Sequence, residues 1–335
     1  MPEGTYFHIE AGKGLRRLEG PQEALAHLGG EGYVWMDLQD PSRSMLDAVA
    51  SPLGIHPLVV EDCLDDDQIP KIEDYPGHTF ILFNRYAYKD KELLVEEVDL
   101  ILGRNFLVTV SGRGSIGGWP LERIEQMLGF GIENVEPGPD FLLHVILDHV
   151  VDGKLSTISA LEADIEAAEE GMLQDLDSFH LEDLVLLRHA LLSLRKSLFH
   201  EREILVKVCR RDSPYLSEAS IYRFRDIYDH LAKFFEFCEM NRDILTNLMG
   251  MYLSLINNRM SEVANRTNRT VRRLTLITTV FMPLSLLAGI GGMSEWSMMT
   301  GGSEHWKLSY SLFLTGMVFL GGLSFGVLKW IERKD

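Results

Sequence analysis

The pattern of apolar and polar positions changes character along the chain, from strand-like to helical at about Asp140. Before that point, segments 32–38 (GYVWMDL), 78–88 (HTFILFNRYAY), 93–102 (LLVEEVDLIL) and 105–110 (NFLVTV) are aromatic and β-branched runs. Bounded by Gly, Asp and Lys, they read as strands. The short connection at 89–92 predicts that the middle pair forms an antiparallel hairpin. Residues 41–53 and 56–64 read as helices, the second opening with Pro57 in its first turn. After Asp140 everything is helical: 141–172 and 181–211 are amphipathic and meet at a polar junction near 174–180.

One further element dominates. From about Ser217 the helical pattern runs to Pro283 and on into Gly289, and between Pro214 and Pro283 there is no proline and Gly250 is the only glycine. At 1.5 Å per residue this predicts a helix of about 100 Å, longer than a globular domain needs. Spacings of three and four place Ser254, Asn257, Ser261, Ala264, Asn268, Val271, Thr275, Thr278, Met282, Ser285 and Gly289 on one face. This heptad stripe is small and polar, whereas a dry coiled-coil seam wants leucine and isoleucine. Its upper half falls inside the apolar run 274–290, and a second apolar run spans 308–331. Each is long enough, with some extension of the first toward Gly292, to cross a hydrocarbon core of about 30 Å. Hydroxyls aligned on a membrane helix face neighbouring helices or water. The stripe is therefore either a helix-packing seam or the lining of a pore made by identical helices. Two spans per chain cannot enclose a channel, so a pore requires a cyclic oligomer.

Charge sets the orientation. Arg266, Arg269, Arg272 and Arg273 precede the first span, and Lys329, Arg333 and Lys334 end the second. The loop between carries Glu295, Glu304 and a single lysine, Lys307. The positive-inside rule then places both termini in the cytoplasm, with the loop outside a cell (inner) membrane. The N-terminus is neither basic nor apolar, which argues against a signal peptide.

The chain has 335 residues and a formal net charge of −18. Such acidity argues against nucleic acid as a partner and favours cations, although solubility alone accounts for it as well. Cys63, Cys209 and Cys238 have no motif spacing, which indicates neither a disulfide framework nor a thiolate zinc site. Glu61, Asp62, Asp65, Asp66 and Asp67 form either a solvated turn or part of a divalent-cation site. Nine acidic residues between Glu162 and Asp183 crowd the tip of the helical hairpin, as a solvated face or a cation-attracting antenna. The GxGxxG at 112–117 lacks a βαβ context, because helix follows it without a return strand, and reads as a loop. No HExxH or P-loop is present, so an enzyme is not indicated.

Residues 267–294, TNRTVRRLTLITTVFMPLSLLAGIGGMS, resemble the first membrane helix and signature loop of the CorA family of divalent-cation channels. FMPL at 281–284 and AGI at 288–290 are especially characteristic. GIHPLVVE at 54–61, QIPK at 68–71, LGRNFLVTV at 102–110, PDFLL at 139–143 and RDIYDH at 225–230 match the family in the same order. The resemblance implies an α+β cytosolic domain, a mixed sheet with flanking helices, at 1–135. An acidic helical hairpin follows at 136–216 and a stalk helix at 217–273. Transmembrane helices at 274–292 and 308–331 flank an external loop at 293–307, and 332–335 return to the cytosol. A funnel-shaped homopentamer in the lipid bilayer is implied, with its pore made by the first membrane helix.

Carried over by position, Asn268, Thr278, Met282 and Ser285 line the pore, with Val271 and Leu274 as an apolar constriction able to gate by dewetting. Asp62 and Asp226, with Glu61 nearby, match an intersubunit regulatory metal site. The mouth comprises Gly292, Met293 and Ser294, with Glu295 and Glu304 raising local cation concentration. The family signature is Gly-Met-Asn, whose asparagine ring holds a hydrated ion by its waters. Serine is shorter, and relatives that vary here include zinc transporters. Arg269 is a second departure, standing where family members commonly carry an acidic residue. Hydrated Mg2+ influx, driven by membrane potential and gated by cytosolic Mg2+, is the leading expectation. Transport of Co2+, Ni2+ or Zn2+ on the same scaffold is the alternative, and a non-conducting cation sensor or scaffold is the third reading.

Overall fold

The computed structural model describes residues 3–10, 13–65, 68–112, 116, 119, 121–131, 138–210, 214–293 and 305–332. The chain divides into two compact units, Met1–Met251 and Tyr252–Asp335.

The first unit is built on a seven-stranded mixed sheet in the order β2-β1-β3-β7-β6-β5-β4. The strands are β1 (Glu3–Glu10), β2 (Gly14–Leu18), β3 (Tyr33–Gln39), β4 (Ile72–Tyr75), β5 (His78–Lys89), β6 (Glu92–Gly103) and β7 (Phe106–Ser111). Alternation of side chains across the pleat assigns two faces. Val34, Met36, Leu38, Phe80, Leu82, Ile101, Val108 and Val110 form one core with Leu46, Val49, Ala50, Val59 and Val60. Those partners lie on α2 (Arg43–Leu53) and α3 (Pro57–Asp62), beside α1 (Pro21–His27). The opposite face packs against α5 (Pro139–Gln174), with α4 (Leu121–Gly131) and α6 (Leu181–Cys209) beside it. A sheet covered on both faces has continuously apolar central strands: every residue of β7 is buried.

The expected hairpin forms. Tyr88 pairs with Leu93 and Lys89 with Glu92, and Asp90 and Lys91 turn the chain with φ of 52° and 66°. Positive φ at both turn positions matches the right-handed twist of the strands. Gly32 enters β3 at φ +87°, where a Cβ would stand 2.2 Å from the Ile9 carbonyl oxygen. Only glycine fits there. β7 pairs antiparallel with β6 and parallel with β3. The loop that follows β7 keeps Gly112 at φ +91°, and most of its GxGxxG stretch lies outside the described residues.

At the tip of the α5–α6 hairpin several of the acidic residues have local partners, and Asp177 N donates to Asp175 at 3.0 Å. Tyr88 donates to Asp164 at 2.7 Å, and Lys91 pairs with Asp183 at 2.9 Å.

The long helix α7 (Glu218–Gly291) has 74 residues and passes through Pro283. Its first turns belong to the first unit, where Ile221, Phe224, Ile227, Leu231 and Leu245 are buried. The second unit contains the rest of α7 and α8 (Trp306–Glu332).

Candidate ion path and cytosolic metal site

Among the described residues, two segments, one in α7 and one in α8, are long and apolar enough to cross a membrane. The seam between them reads directly from partial burial. Leu276, Val280, Leu284, Leu287 and Gly291 are half-covered on α7, and Ser309, Phe313, Met317, Gly321 and Ser324 on α8. Both sets recur every three or four residues, one face of a helix. Leu284 lies against Gly321 and Phe313 against Gly291, so the helices run antiparallel. Small residues at such contacts let helices approach closely.

The polar stripe avoids this seam. Val271, Thr275, Thr278, Met282, Ser285 and Gly289 are all exposed. At 3.6 residues per turn their mean direction is about 180° from that of the seam residues. Asn268 and Leu274 are exposed within about 60° of the same line. Thr275 donates its hydroxyl to the Val271 carbonyl at 2.9 Å, and Thr278 to that of Leu274 at 2.8 Å. Each hydroxyl has one proton, so these bonds leave its lone pairs free to accept from outside the helix. Gly292 and Met293 close the end of α7 by donating to Ala288 and Ile290. Ser294, Glu295 and Glu304, the remaining mouth candidates, lie outside the described residues.

In the first unit, α3 carries Glu61 and Asp62 at its carboxyl end. His56 caps its start, the ring Nδ1 accepting from Leu58 N at 3.3 Å. Glu61 is exposed, whereas Asp62 is partly covered and takes the Lys71 ammonium on Oδ2 at 2.8 Å. Asp66 and Asp67 lie outside the described residues. Asp226 is exposed on α7. Beside it, burial first, and then the Asp152 charge, push the Asp148 carboxyl up, with Asp226 adding to the rise. Burial, with help from Arg223, holds His144 down to about 4, while Asp226 acts the other way.

Sequence reading missed Asp148 and Asp152, whose signal is i,i+4 spacing on a helix that faces Asp226. Lys71 enters that reading only through the QIPK segment. Among the described residues of one chain, no three His, Cys, Asp or Glu side chains converge to hold a metal. Asp62 and Asp226 nevertheless offer hard carboxylate oxygens, the donor class Mg2+ takes alongside retained water.

An α/β unit whose last helix continues into a two-helix membrane hairpin, with a hydroxyl stripe turned away from the hairpin seam, defines a two-span membrane protein. The chain belongs to the family described as CorA-like Mg2+ transporter protein, matched over residues 30–331. It is thus a metal-ion transport protein and not an enzyme. It is 31% identical over 288 residues to the cobalt/magnesium transport protein CorA of Thermotoga maritima, covering 85% of this chain and 78% of that one. It is 24% identical over 265 residues to the cobalt/magnesium transport protein CorA of Methanocaldococcus jannaschii, covering 78% and 80%. The fold matches the complete structure of the CorA magnesium transporter from Methanocaldococcus jannaschii with a TM-score of 0.70 at 21% identity, covering 99% of this chain and 98% of that one.

Proposed function

We propose that identical copies of this chain form a homopentameric ring that conducts hydrated divalent cations, magnesium first, into the cytoplasm down the membrane potential. The observation that carries this reading is the opposition of stripe and seam on α7. The hairpin consumes one face of the helix and leaves the hydroxyl face for something other than its own partner. Lipid would leave those acceptors unpaired. The waters around Mg2+ are strong donors, and Mg2+ gives them up reluctantly. Acceptors at Thr278, with Asn268 and Ser285 on the same line, suit an ion that keeps its shell.

Val271 and Leu274 lie about one turn apart and are both exposed. Repeated around a ring, they make an apolar collar that closes by dewetting. The regulatory step assigned to Asp62 and Asp226 then has a simple form. Asp62 of one copy and Asp226 of the next face each other, and a shared Mg2+ ties them together. Bound Mg2+ favours the symmetric closed ring by its higher affinity for that state. Loss of Mg2+ lets the copies part. Both termini are cytoplasmic, and the mouth at Gly292, Met293 and Ser294 faces outside. Serine in place of the signature asparagine keeps Co2+, Ni2+ and Zn2+ as alternative cargo.

The test is ion flux into proteoliposomes containing the full-length chain, with magnesium, cobalt, nickel, zinc and manganese offered separately under an inside-negative potential. Magnesium flux is expected. Flux of zinc or cobalt alone would reassign the cargo, and no flux of any ion would leave only a sensor or scaffold.

A further inference from the structure

Residues 68–71, Gln-Ile-Pro-Lys, form a clasp around the end of α3. Gln68 Nε2 donates to the Asp62 carbonyl at 2.8 Å, and Gln68 N donates to Glu97. The Lys71 carbonyl accepts from Leu82 N at 2.9 Å, which fixes the backbone at 71 to β5. From that anchor the Lys71 side chain crosses the Phe80 ring, 5.6 Å from its centroid, and sets its ammonium on Asp62 Oδ2. A second carboxylate waits nearby: Glu73 Oε1 is 3.9 Å from the same nitrogen. Glu73 is held in place because its Oε2 accepts from Tyr75 at 2.7 Å. The Tyr75 ring stacks on His56 at 4.9 Å and on His78 at 5.1 Å.

We infer that the Lys71 ammonium is a tethered cation that occupies the Asp62 carboxylate until a divalent ion displaces it toward Glu73, so that Lys71 sets the concentration at which the cytosolic site fills. The inference rests on the assignment of Asp62 and Asp226 as a metal site. Its chemistry is competition between two cations for one carboxylate. Mg2+ binds carboxylate at about 2.0–2.1 Å, and the ammonium 2.8 Å from Oδ2 both occupies that oxygen and repels a dication approaching the other. A dication therefore binds Asp62 more weakly while the lysine is in place. The pair is only partly covered, with 29% of the Lys71 side chain and 23% of the Asp62 side chain exposed. Such pairs are weak enough to exchange. Glu73 favours the exchange, because the displaced ammonium is received by another carboxylate instead of by water alone. Lys71 also neutralises Asp62 in the metal-free state, which reduces the repulsion that would otherwise drive the copies apart. It is a positioning residue that tunes the site without ligating the ion.

The test uses full-length protein in detergent, MgCl2 as the only added divalent salt, and chymotrypsin, which does not cut at lysine. The readout is the Mg2+ concentration giving half-maximal protection. Lys71→Gln should lower that midpoint about three- to tenfold, while Lys71→Arg should stay within about twofold of the parent. Glu73→Gln should raise it, and that rise should vanish in the Lys71→Gln background, because Glu73 acts through the lysine. An unchanged midpoint in Lys71→Gln, with protection abolished in Asp62→Asn, would overturn the competition and leave the metal site standing. Protection unchanged in both Asp62→Asn and Asp226→Asn would overturn the metal site and this inference together. Should Lys71→Gln lose its native melting transition, the Glu73→Gln arm decides, because it leaves the Asp62–Lys71 pair in place. An unmoved midpoint there overturns the proposal.

Discussion

Lys154 Nζ and Glu201 Oε1 lie 2.8 Å apart, and neither side chain has any exposed surface. The pair joins α5 to α6 and both to the sheet, for Lys154 donates to the Asn84 carbonyl and Asn84 N donates to Glu201 at 3.0 Å. The ammonium also lies 4.7 Å from the Tyr86 ring centroid. Burial pulls the lysine pKa down, and Glu201 opposes that fall.

Removing one partner of a buried pair strands the other charge. Lys154→Met should destabilise the protein by about 3–5 kcal/mol, and Lys154→Met with Glu201→Leu should recover much of the loss. Thermal unfolding of the full-length protein, followed by circular dichroism, reads both. A single variant within about 2 °C of the parent would show that the pair does not hold these helices on the sheet.

Asp37 gives a pH signature. It is fully buried on β3, accepts from Thr109 and Gln39, and its pKa is raised from 3.8 to about 6 because burial outweighs those bonds. A raised carboxyl pKa gives stability that is complete below the unfolded value and lost as pH rises through the folded one. The parent should therefore lose on the order of 3 kcal/mol, relative to Asp37→Asn, between about pH 4 and pH 6. Half-buried His144 and His149 and buried His78, whose pKa values are lowered, act in the opposite direction in both proteins. The difference curve isolates Asp37. A flat difference across that range would show that Asp37 ionises as an ordinary surface carboxylate does.

Particular elements explain what was legible in the sequence. β5 and β6 announced themselves because their aromatic and β-branched runs are long and their connection is two residues, so local pattern and pairing coincide. The parallel pairing of β3 with β7 was not legible. It joins residues some seventy positions apart, such as Asp37 and Thr109, and nothing local encodes such a partner. The edge strands β2 and β4, the neighbouring strand β1 and the helices α1 and α4 were not singled out either, since short segments take their structure from neighbours. At the ion path, the stripe was readable because helical period alone sets it. That it lies opposite the seam needed α8 to be placed. The Lys71 contact to Asp62 spans nine residues through a loop, a distance to which no periodicity applies.

The proposed collar predicts a leak. Leu274 is exposed on α7 within the stripe half of the helix. Serine there should let water and hydrated ions persist where leucine expels them. Leu274→Ser should raise magnesium flux into proteoliposomes preloaded with magnesium high enough to hold the parent closed. A leak equal to the parent's would place the barrier at another position.

The stripe itself is tested by two adjacent threonines. Thr278 and Thr279 are both exposed, and each donates its hydroxyl one turn back, to Leu274 at 2.8 Å and to Thr275 at 2.7 Å. Their local chemistry is therefore the same. Their direction is not, because one residue of helix turns the side chain by about 100°. Thr278 falls within the stripe, and Thr279 points toward its flank. Valine matches threonine in shape and β-branching and lacks only the hydroxyl. Thr278→Val thus removes outward acceptor lone pairs from the proposed ion path without changing side-chain volume. In a symmetric ring every copy loses them at once, so magnesium flux should fall about tenfold, equivalent to about 1.4 kcal/mol. Thr279→Val should leave flux within about twofold, since its hydroxyl does not face the ion. The comparison is made in proteoliposomes at equal protein density, with assembly of each variant checked by size-exclusion chromatography. Equal loss in both variants would mean that the hydroxyls serve the helix and not the ion. Full flux in Thr278→Val would mean that ions pass by another face.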